Sequence, residues 1–433
     1  MIQRSVIQAL SDCKVSHVKI AVLGAGVTGV TSAYFLAKKG YEVTVFDRQP
    51  YAAEETSFAN GGQLSFTQTF PWASPDLPSK LVKWLGRDDA PLVFKLRNDP
   101  HMWMWGLKFL WSTREKTFYE SAGRVLRLAL HSRDALHKVI EDEGIKFDRQ
   151  QRGILKLFDS EEGYRHMQSR TKWLNDQGVD QTMLSRAECL EAEPALGSAT
   201  SSFIGGAKSE IDESGDARLF TLGLKEAAEK MGVQFKLGCD IEKLNTDEDL
   251  ITSISVNGQT HIFDKYVMSL GSYSYFLAKK IGLHLPIYPV KGYSVTIPIE
   301  GANDAPLMSL TDESQHVVIS RFGDRLRAAG TAEMNGYQLE PNKKREDMVL
   351  DSVLGLFPNV GDRTKAERWC GLRPMTTDST PIIGKSKYTN LFLNTGHCQL
   401  GWTLSCGSAQ LLAEMIAGSP TELDMSDYSL DRF

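Results

Sequence analysis

Val18-Lys19-Ile20-Ala21-Val22-Leu23-Gly24-Ala25-Gly26-Val27-Thr28-Gly29 joins a short β-rich run to the pattern G-x-G-x-x-G. Val30 to Lys39 follows with helical character and Glu42 to Phe46 reads as a second strand, so the stretch predicts a βαβ unit. In that context each glycine has a task. Gly24 lets the chain turn tightly, Gly26 lets the backbone approach a pyrophosphate with no Cβ in the way, and Gly29 lets the helix lie close to the strand. The N–H groups of the turn and first helical residues, among them Ala25, Val27 and Thr28, then face the phosphates. Asp47, just past the second strand, is placed to accept hydrogen bonds from a ribose hydroxyl and would repel a 2′-phosphate. These features point to a dinucleotide. They do not choose between NAD and FAD, which present the same ADP half.

At 433 residues the chain is too long for one ordinary domain, and two domains with interleaved segments are expected. With 42% hydrophobic and 24% charged residues it reads as a globular protein, and 49 basic against 54 acidic side chains argue against nucleic acid as a partner. Cys13, Cys189, Cys239, Cys370, Cys398 and Cys406 include no C-x-x-C pair, which fits a reduced compartment, no metal site and a cytoplasmic location. Met1 to His17 lacks the apolar core of a secretory signal, and no apolar run is long enough to span a bilayer.

Further along, helices are expected over Phe118 to Val139, Glu161 to Gln177, Phe220 to Met231, Lys343 to Phe357 and about Trp402 to Ala417. Strands are expected at Ile154 to Phe158, Gln234 to Leu237, Tyr266 to Leu270, Tyr293 to Ile297 and Leu391 to Leu393, whereas Phe203 to Ile211 opens a loop-rich return. The tract His101-Met102-Trp103-Met104-Trp105-Gly106-Leu107-Lys108-Phe109-Leu110-Trp111 has two readings. Packing in a core or between domains is the plainer one; the other is an interfacial segment with aromatics at headgroup level and Arg114 and Lys116 on the phosphates.

After the second strand comes Thr56-Ser57-Phe58-Ala59-Asn60-Gly61-Gly62-Gln63-Leu64-Ser65, small and polar where a nicotinamide domain would continue its α/β alternation. Four later segments carry a wider likeness. They are Tyr266 to Ser274, with Gly271 and Tyr273; Tyr288-Pro289-Val290-Lys291-Gly292-Tyr293-Ser294; Gly371-Leu372-Arg373-Pro374-Met375-Thr376-Thr377-Asp378; and Asn394-Thr395-Gly396-His397 running to Gly401-Trp402-Thr403. With Asp47-Arg48 and the glycine pattern, the chain resembles the D-amino acid dehydrogenase branch of the FAD-dependent amine oxidoreductases, which also include D-amino acid and glycine oxidases. It departs from the pattern in the leader before Val18, in Gly61 where members usually carry alanine, and in Cys398-Gln399.

The resemblance implies an α/β plus α+β protein. A discontinuous, doubly wound FAD-binding domain is expected at 17–71, 209–285 and 366–433, with an inserted mixed-sheet substrate domain at 72–208 and 286–365 and an N-terminal extension at 1–16. It also implies non-covalent FAD and oxidative deamination of a small D-amino acid by hydride transfer from the α-carbon to flavin N5. Electrons would pass to a quinone or another carrier, with peripheral contact at the inner face of the cell membrane. Arg373 is the expected anchor of the substrate carboxylate, since a guanidinium offers two parallel hydrogen bonds. Tyr273 and Tyr293 are pocket hydroxyls in this reading, and His397 either orients the loop or serves as a base. The cofactor is expected on Gly24 to Gly29, Asp47, Arg48, Thr56, Ser57, Asn60, Gly61, Gly62, Gln63, Leu64, Gly271 and Gly396, with Gly401, Trp402 and Thr403 opening a helix toward the flavin N1–C2=O edge. Lys291 reads as a solvated strand-end lysine. Beside N5 it would instead favour oxygen as acceptor. Three other activities compete: a glycine or D-amino acid oxidase, a D-proline or hydroxyproline dehydrogenase, and a non-catalytic flavoprotein subunit.

Overall fold

The computed structural model describes residues 18–84, 90, 92–95, 97–301 and 304–433. The expected extension at 1–16 and Cys13 lie outside them. β1 (Lys19–Leu23) pairs in parallel with β2 (Glu42–Phe46) on one side and with Lys265–Met268 on the other. Gln234–Lys236, Leu391–Thr395 and an antiparallel Ile382–Lys385 complete six strands. All but the first residue of β1 and β2 are buried, as expected where both faces of a parallel sheet are covered. Helix α1 (Val27–Lys38) lies on one face with the helices Glu115–Glu143, Ala217–Lys230 and Ser405–Ala417. A three-stranded meander, Ile241–Asp247, Leu250–Val256 and Gln259–His261, covers the other face through Leu244, Ile251 and Ile254.

The second layer is a nine-stranded mixed sheet built around β3 (Ile287–Pro298), β4 (Arg325–Met334) and β5 (Glu367–Thr376). β3 is buried along nearly its whole length between β4 and the edge strand β5. Against this sheet pack α2 (Leu77–Trp84) and α3 (Pro100–Trp111), the latter capped by Asp99, whose carboxylate accepts the N–H groups of His101 and Met102.

Three elements differ from the sequence expectation. The helix Glu115–Glu143 packs Val125, Leu128, Leu136 and Val139 into the core of the parallel-sheet layer, although it lies in the 72–208 span. β5 belongs to the nine-stranded sheet, although it lies in 366–433. Helical spacing shows that a stripe is apolar but not which layer covers it. The loop-rich return contains a strand, Gly205–Ser209. Its two glycines hide it, yet a Cβ at Gly206 would sit 2.7 Å from the Lys156 carbonyl oxygen of the neighbouring strand.

Candidate active site

A cavity of about 1000 Å³ runs between the layers, from the β1–α1 turn to β5. At its first end Gly24 holds φ +110°, and a Cβ there would lie 2.5 Å from the Ser269 carbonyl oxygen. Gly26 is different, because its Cβ would meet nothing nearer than Ser57 Oγ at 3.5 Å. The absent side chain at Gly26 therefore leaves open space for a ligand. The Val27 N–H donates to Ser57 Oγ and the Ala25 N–H to Asp47 Oδ2. Asp47 also accepts from the Gln49 N–H through Oδ1, leaving one lone pair free on each oxygen. Burial raises its carboxyl above the usual range, opposed by those two N–H groups.

Arg48 is tied to Glu55 and lies 3.7 Å over the Tyr273 ring. That contact sets Tyr273 at the Asp47 end of the cavity. Thr56 Oγ1 donates to the Leu372 carbonyl on the edge of β5, and Gln63 Nε2 bonds Ser309, Leu310 and Thr311 of the second sheet. Asn60 Oδ1 accepts the Gly62 N–H, so the loop is pinned from both sides. The departure at Gly61 has a local reason: Val318 Cγ2 would lie 2.3 Å from a Cβ there.

At the far end Arg373 projects from β5 across Gly292 of β3. A Cβ at Gly292 would sit 2.0 Å from Arg373 Nη1. Opposite Gly292 the β3–β4 register slips by one residue, and in that bulge Thr331 takes φ +53°, a costly angle for a β-branched residue. Its carbonyl accepts from Arg373 Nη1 at 3.2 Å. Gly292 and the bulge together hold the guanidinium. Arg373 is half-buried, loss of water around it pushes it down to about 10, and among the described residues no carboxylate pairs with it. Two arginines with buried side chains do have acids, Arg327 beside Asp216 and Arg432 beside Asp378. A partly desolvated cation without a counter-ion on a cavity wall is a site for an anion. Gly292→Ala is expected to keep FAD bound and lower kcat/KM about 10²-fold by displacing the guanidinium, which steady-state kinetics with flavin quantitation would check.

Lys291 and the Tyr293 hydroxyl turn to the other face of β3, while Tyr293 still forms part of the cavity wall. The Tyr293 hydroxyl donates to Glu333 Oε2 at 2.5 Å, and its ring packs in the core with Val349 and Leu350. Lys291 is buried rather than solvated, donating to the Glu340 carbonyl and lying 3.5 Å from Glu333. That acid supplies its counter-charge. His397 is buried, shares a hydrogen bond with Ser408 Oγ, and is pushed down to about 3 by burial. It is neutral at assay pH, so His397→Gln is expected to leave the pH profile of kcat/KM unmoved between about pH 5 and 8; a lost inflection would make it a base.

The expected helix at Trp402 starts instead at Ser405, after a short 3-10 turn at Cys398–Leu400. Among the described hydrogen bonds none starts from the N–H of Gly401, Trp402 or Thr403. Gly401 and Trp402 line the cavity just ahead of the helix N-terminus, whose dipole favours negative charge there. The Trp402 indole packs against Phe147 and Phe220, and the Thr403 hydroxyl accepts the Ser65 N–H. Gly271 and Gly396 line the cavity at φ +53° and +74°. Ala25, Gly29, Gly62, Leu64 and Thr403 lie off its wall, where they shape the turn and core. No motif marks Trp72, 6.0 Å from the Arg373 guanidinium, or Thr331.

The model of the FAD dependent oxidoreductase family matches residues 19–415. The chain belongs to that family. It is 45% identical over 416 residues to the D-amino acid dehydrogenase of Paramagnetospirillum magneticum, covering 96% of this chain and 99% of that one. With the D-amino acid dehydrogenase of Methylobacterium radiotolerans it shares 43% over 415 residues, at 96% and 99% coverage. Among solved structures, glycine oxidase from Geobacillus kaustophilus has a TM-score of 0.76 at 21% identity, covering 96% and 99% of the two chains. L-proline dehydrogenase from P. horikoshii has a TM-score of 0.72 at 18% identity, covering 95% and 96%. These two likenesses concern the fold. The cavity fits the family's cofactor: an open approach at Gly26, a partly committed acid at Asp47, and undonated N–H groups at Gly401 and Trp402.

Proposed function

We propose that this flavoprotein deaminates D-amino acids oxidatively, passing the electrons to a quinone or another carrier. The observation that carries the reading is Arg373, a half-buried cation on the wall of the FAD cavity with no acidic partner among the described residues. Bound FAD supplies the two-electron acceptor. Arg373 takes the substrate carboxylate, and the Thr331 carbonyl and Gly292 fix the plane of the guanidinium so that the α-carbon is presented in one orientation. The substrate α-carbon gives up a hydride and its neutral amine a proton; the imino acid then hydrolyses to a 2-oxo acid and ammonia. No base at carbon is needed, in keeping with a neutral His397.

The D-configuration is supported by the names of full-length relatives at 42–45% identity. Non-covalent FAD is supported by the thiols nearby. Cys398 bonds Thr376 and is pushed up to about 12 by burial, and Cys370 donates to the Leu339 carbonyl. Steady-state turnover of D- and L-amino acid panels, with oxygen and a water-soluble quinone compared, tests the reading. Turnover of D-isomers with the quinone is expected; preference for oxygen would make it an oxidase.

Among the described residues no helix is long and apolar enough to cross a membrane. Peripheral contact at the inner membrane face is supported by α3, whose Trp103, Met104, Leu107, Leu110 and Trp111 are exposed while Met102, Trp105 and Phe109 are buried. Arg114 lies over the Trp111 ring, and Lys108 and Lys116 are exposed beside it. Tryptophans with adjoining cations suit the headgroup region. Trp103→Ser with Trp111→Ser is expected to abolish sedimentation with anionic phospholipid vesicles; undiminished sedimentation, or self-association through this face instead, would contradict it.

A further inference from the structure

Arg373 meets only the carboxylate of an amino acid. The α-amine lies one carbon away and brings N–H donors that also need partners once water is excluded. Most polar groups at this end of the cavity are already committed: the Tyr293 hydroxyl to Glu333, His397 to Ser408, and the Thr331 carbonyl to Arg373 itself. Gln399 is not. It is half-buried on the cavity wall, and its Oε1 is buried with no donor among the described residues. A buried amide oxygen left unmet destabilises the substrate-free protein, and a ligand donor relieves that cost.

The chain path brings Gln399 to Arg373. Met375 of β5 forms an antiparallel bridge with His397, and Cys398 Sγ lies 3.3 Å from both the N–H and the hydroxyl oxygen of Thr376, which holds the Cys398–Leu400 turn against β5. Because the bridge is antiparallel, two residues back along β5 to Arg373 and two residues on to Gln399 run in the same direction. Each step covers at most about 7 Å. Two long side chains therefore reach the same end of the cavity from neighbouring stems, and both line it. The terminal torsion of a glutamine is broad, so Oε1 can turn to an incoming donor at little cost.

Resting on the substrate reading above, we infer that Gln399 accepts a hydrogen bond from the α-amine and so provides the second attachment of the amino acid beside Arg373. As the α-hydrogen leaves with its electron pair for the flavin, the nitrogen lone pair becomes the C=N bond. The nitrogen then carries positive charge until it sheds a proton to water. A carbonyl oxygen already placed against that N–H is held more strongly as the charge grows, so the contact acts chiefly on the rate of hydride loss and less on binding. Carboxylate and amine fixed together also leave one α-substituent facing the flavin.

The test pairs D-alanine with propanoate, which keeps the carboxylate and the carbon skeleton but has no amine. Anaerobic mixing of holoenzyme with D-alanine gives the limiting rate of flavin reduction, and visible difference spectra of the bound flavin give the affinity for propanoate. In Gln399→Met, which keeps the volume and removes the acceptor, the limiting rate is expected to fall at least about tenfold, while propanoate affinity and FAD content stay within about twofold. Gln399→Ala keeps the test valid if methionine disturbs the turn, with a smaller fall because water can enter and accept the N–H. An unchanged rate would overturn the assignment. So would an equal loss of propanoate affinity, which would put Gln399 on the carboxylate or in the frame of the cavity. Thr331 Oγ1, also buried without a partner, is the competing acceptor, and a fall confined to Thr331→Val would overturn the assignment to Gln399. A wild-type flavin that no D-amino acid reduces would refute the substrate reading itself and the assignment with it, whereas the other outcomes leave that reading standing.

Discussion

Arg373→Met is expected to lower kcat/KM for a D-amino acid roughly 10²- to 10⁴-fold, the scale of about 3–5 kcal/mol lost when one partner of a buried ion pair is removed. FAD content should not change, because Arg373 lies at the far end of the cavity from Gly26 and Asp47. Arg373→Lys should fall between, since an ammonium is a point charge and cannot take a carboxylate with two parallel hydrogen bonds. The stability effect is expected to run the other way. Arg373 is a half-buried cation with no acid beside it among the described residues, so methionine should raise Tm of the substrate-free protein. Arg432→Met is the contrast: it leaves Asp378 buried without its partner and should lower Tm. Steady-state kinetics and thermal melting of the three variants test both signs, and a fall in Tm for Arg373→Met would mean that the guanidinium has a structural counter-ion.

The second large effect concerns two glycines in one turn that do different work. A Cβ at Gly29 would lie 1.9 Å from the Gly24 carbonyl oxygen, so Gly29→Ala forces helix and strand apart and is expected to give little folded protein. A Cβ at Gly26 would meet nothing closer than 3.5 Å, so Gly26→Ala should fold. It should nevertheless lose FAD, because the added methyl occupies the space the pyrophosphate needs. Circular dichroism and flavin quantitation separate the two outcomes. A Gly26→Ala protein that retains yellow flavin at wild-type stoichiometry would show that the phosphates do not lie there.

Much of the first layer was legible because its signals are local. Gly24 to Gly29 lie between two short strands, and the whole unit is read within thirty residues. Arg373 was legible through the motif around it, although nothing in the sequence marks its lack of an acid. What was not legible depends on partners distant in the chain. Tyr293 is drawn to the far side of its strand by Glu333, forty residues on, which also neutralises Lys291. Tyr273 lines the cavity beside the Arg48 guanidinium, a residue far from it in the chain. The tract from Met102 to Trp111 defeated periodicity because it is apolar on both faces; the spacing of Met102, Trp105 and Phe109 marks the inner face only once the outer one is seen exposed. The packing reading holds for the inner side of the helix, and the exposed outer side is the one proposed to meet lipid. Its buried Trp105 donates to the Met375 carbonyl, which makes Trp111 the better residue to replace when lipid contact is tested.

The measurement that bears most directly on the whole account is anaerobic titration of the holoenzyme with D-alanine and, separately, with L-alanine, followed by the visible absorbance of the flavin. Bleaching by the D-isomer, abolished in Arg373→Met and absent with the L-isomer, is the predicted result. Flavin that stays oxidised with every D-amino acid offered, or that bleaches equally well in Arg373→Met, would contradict the account.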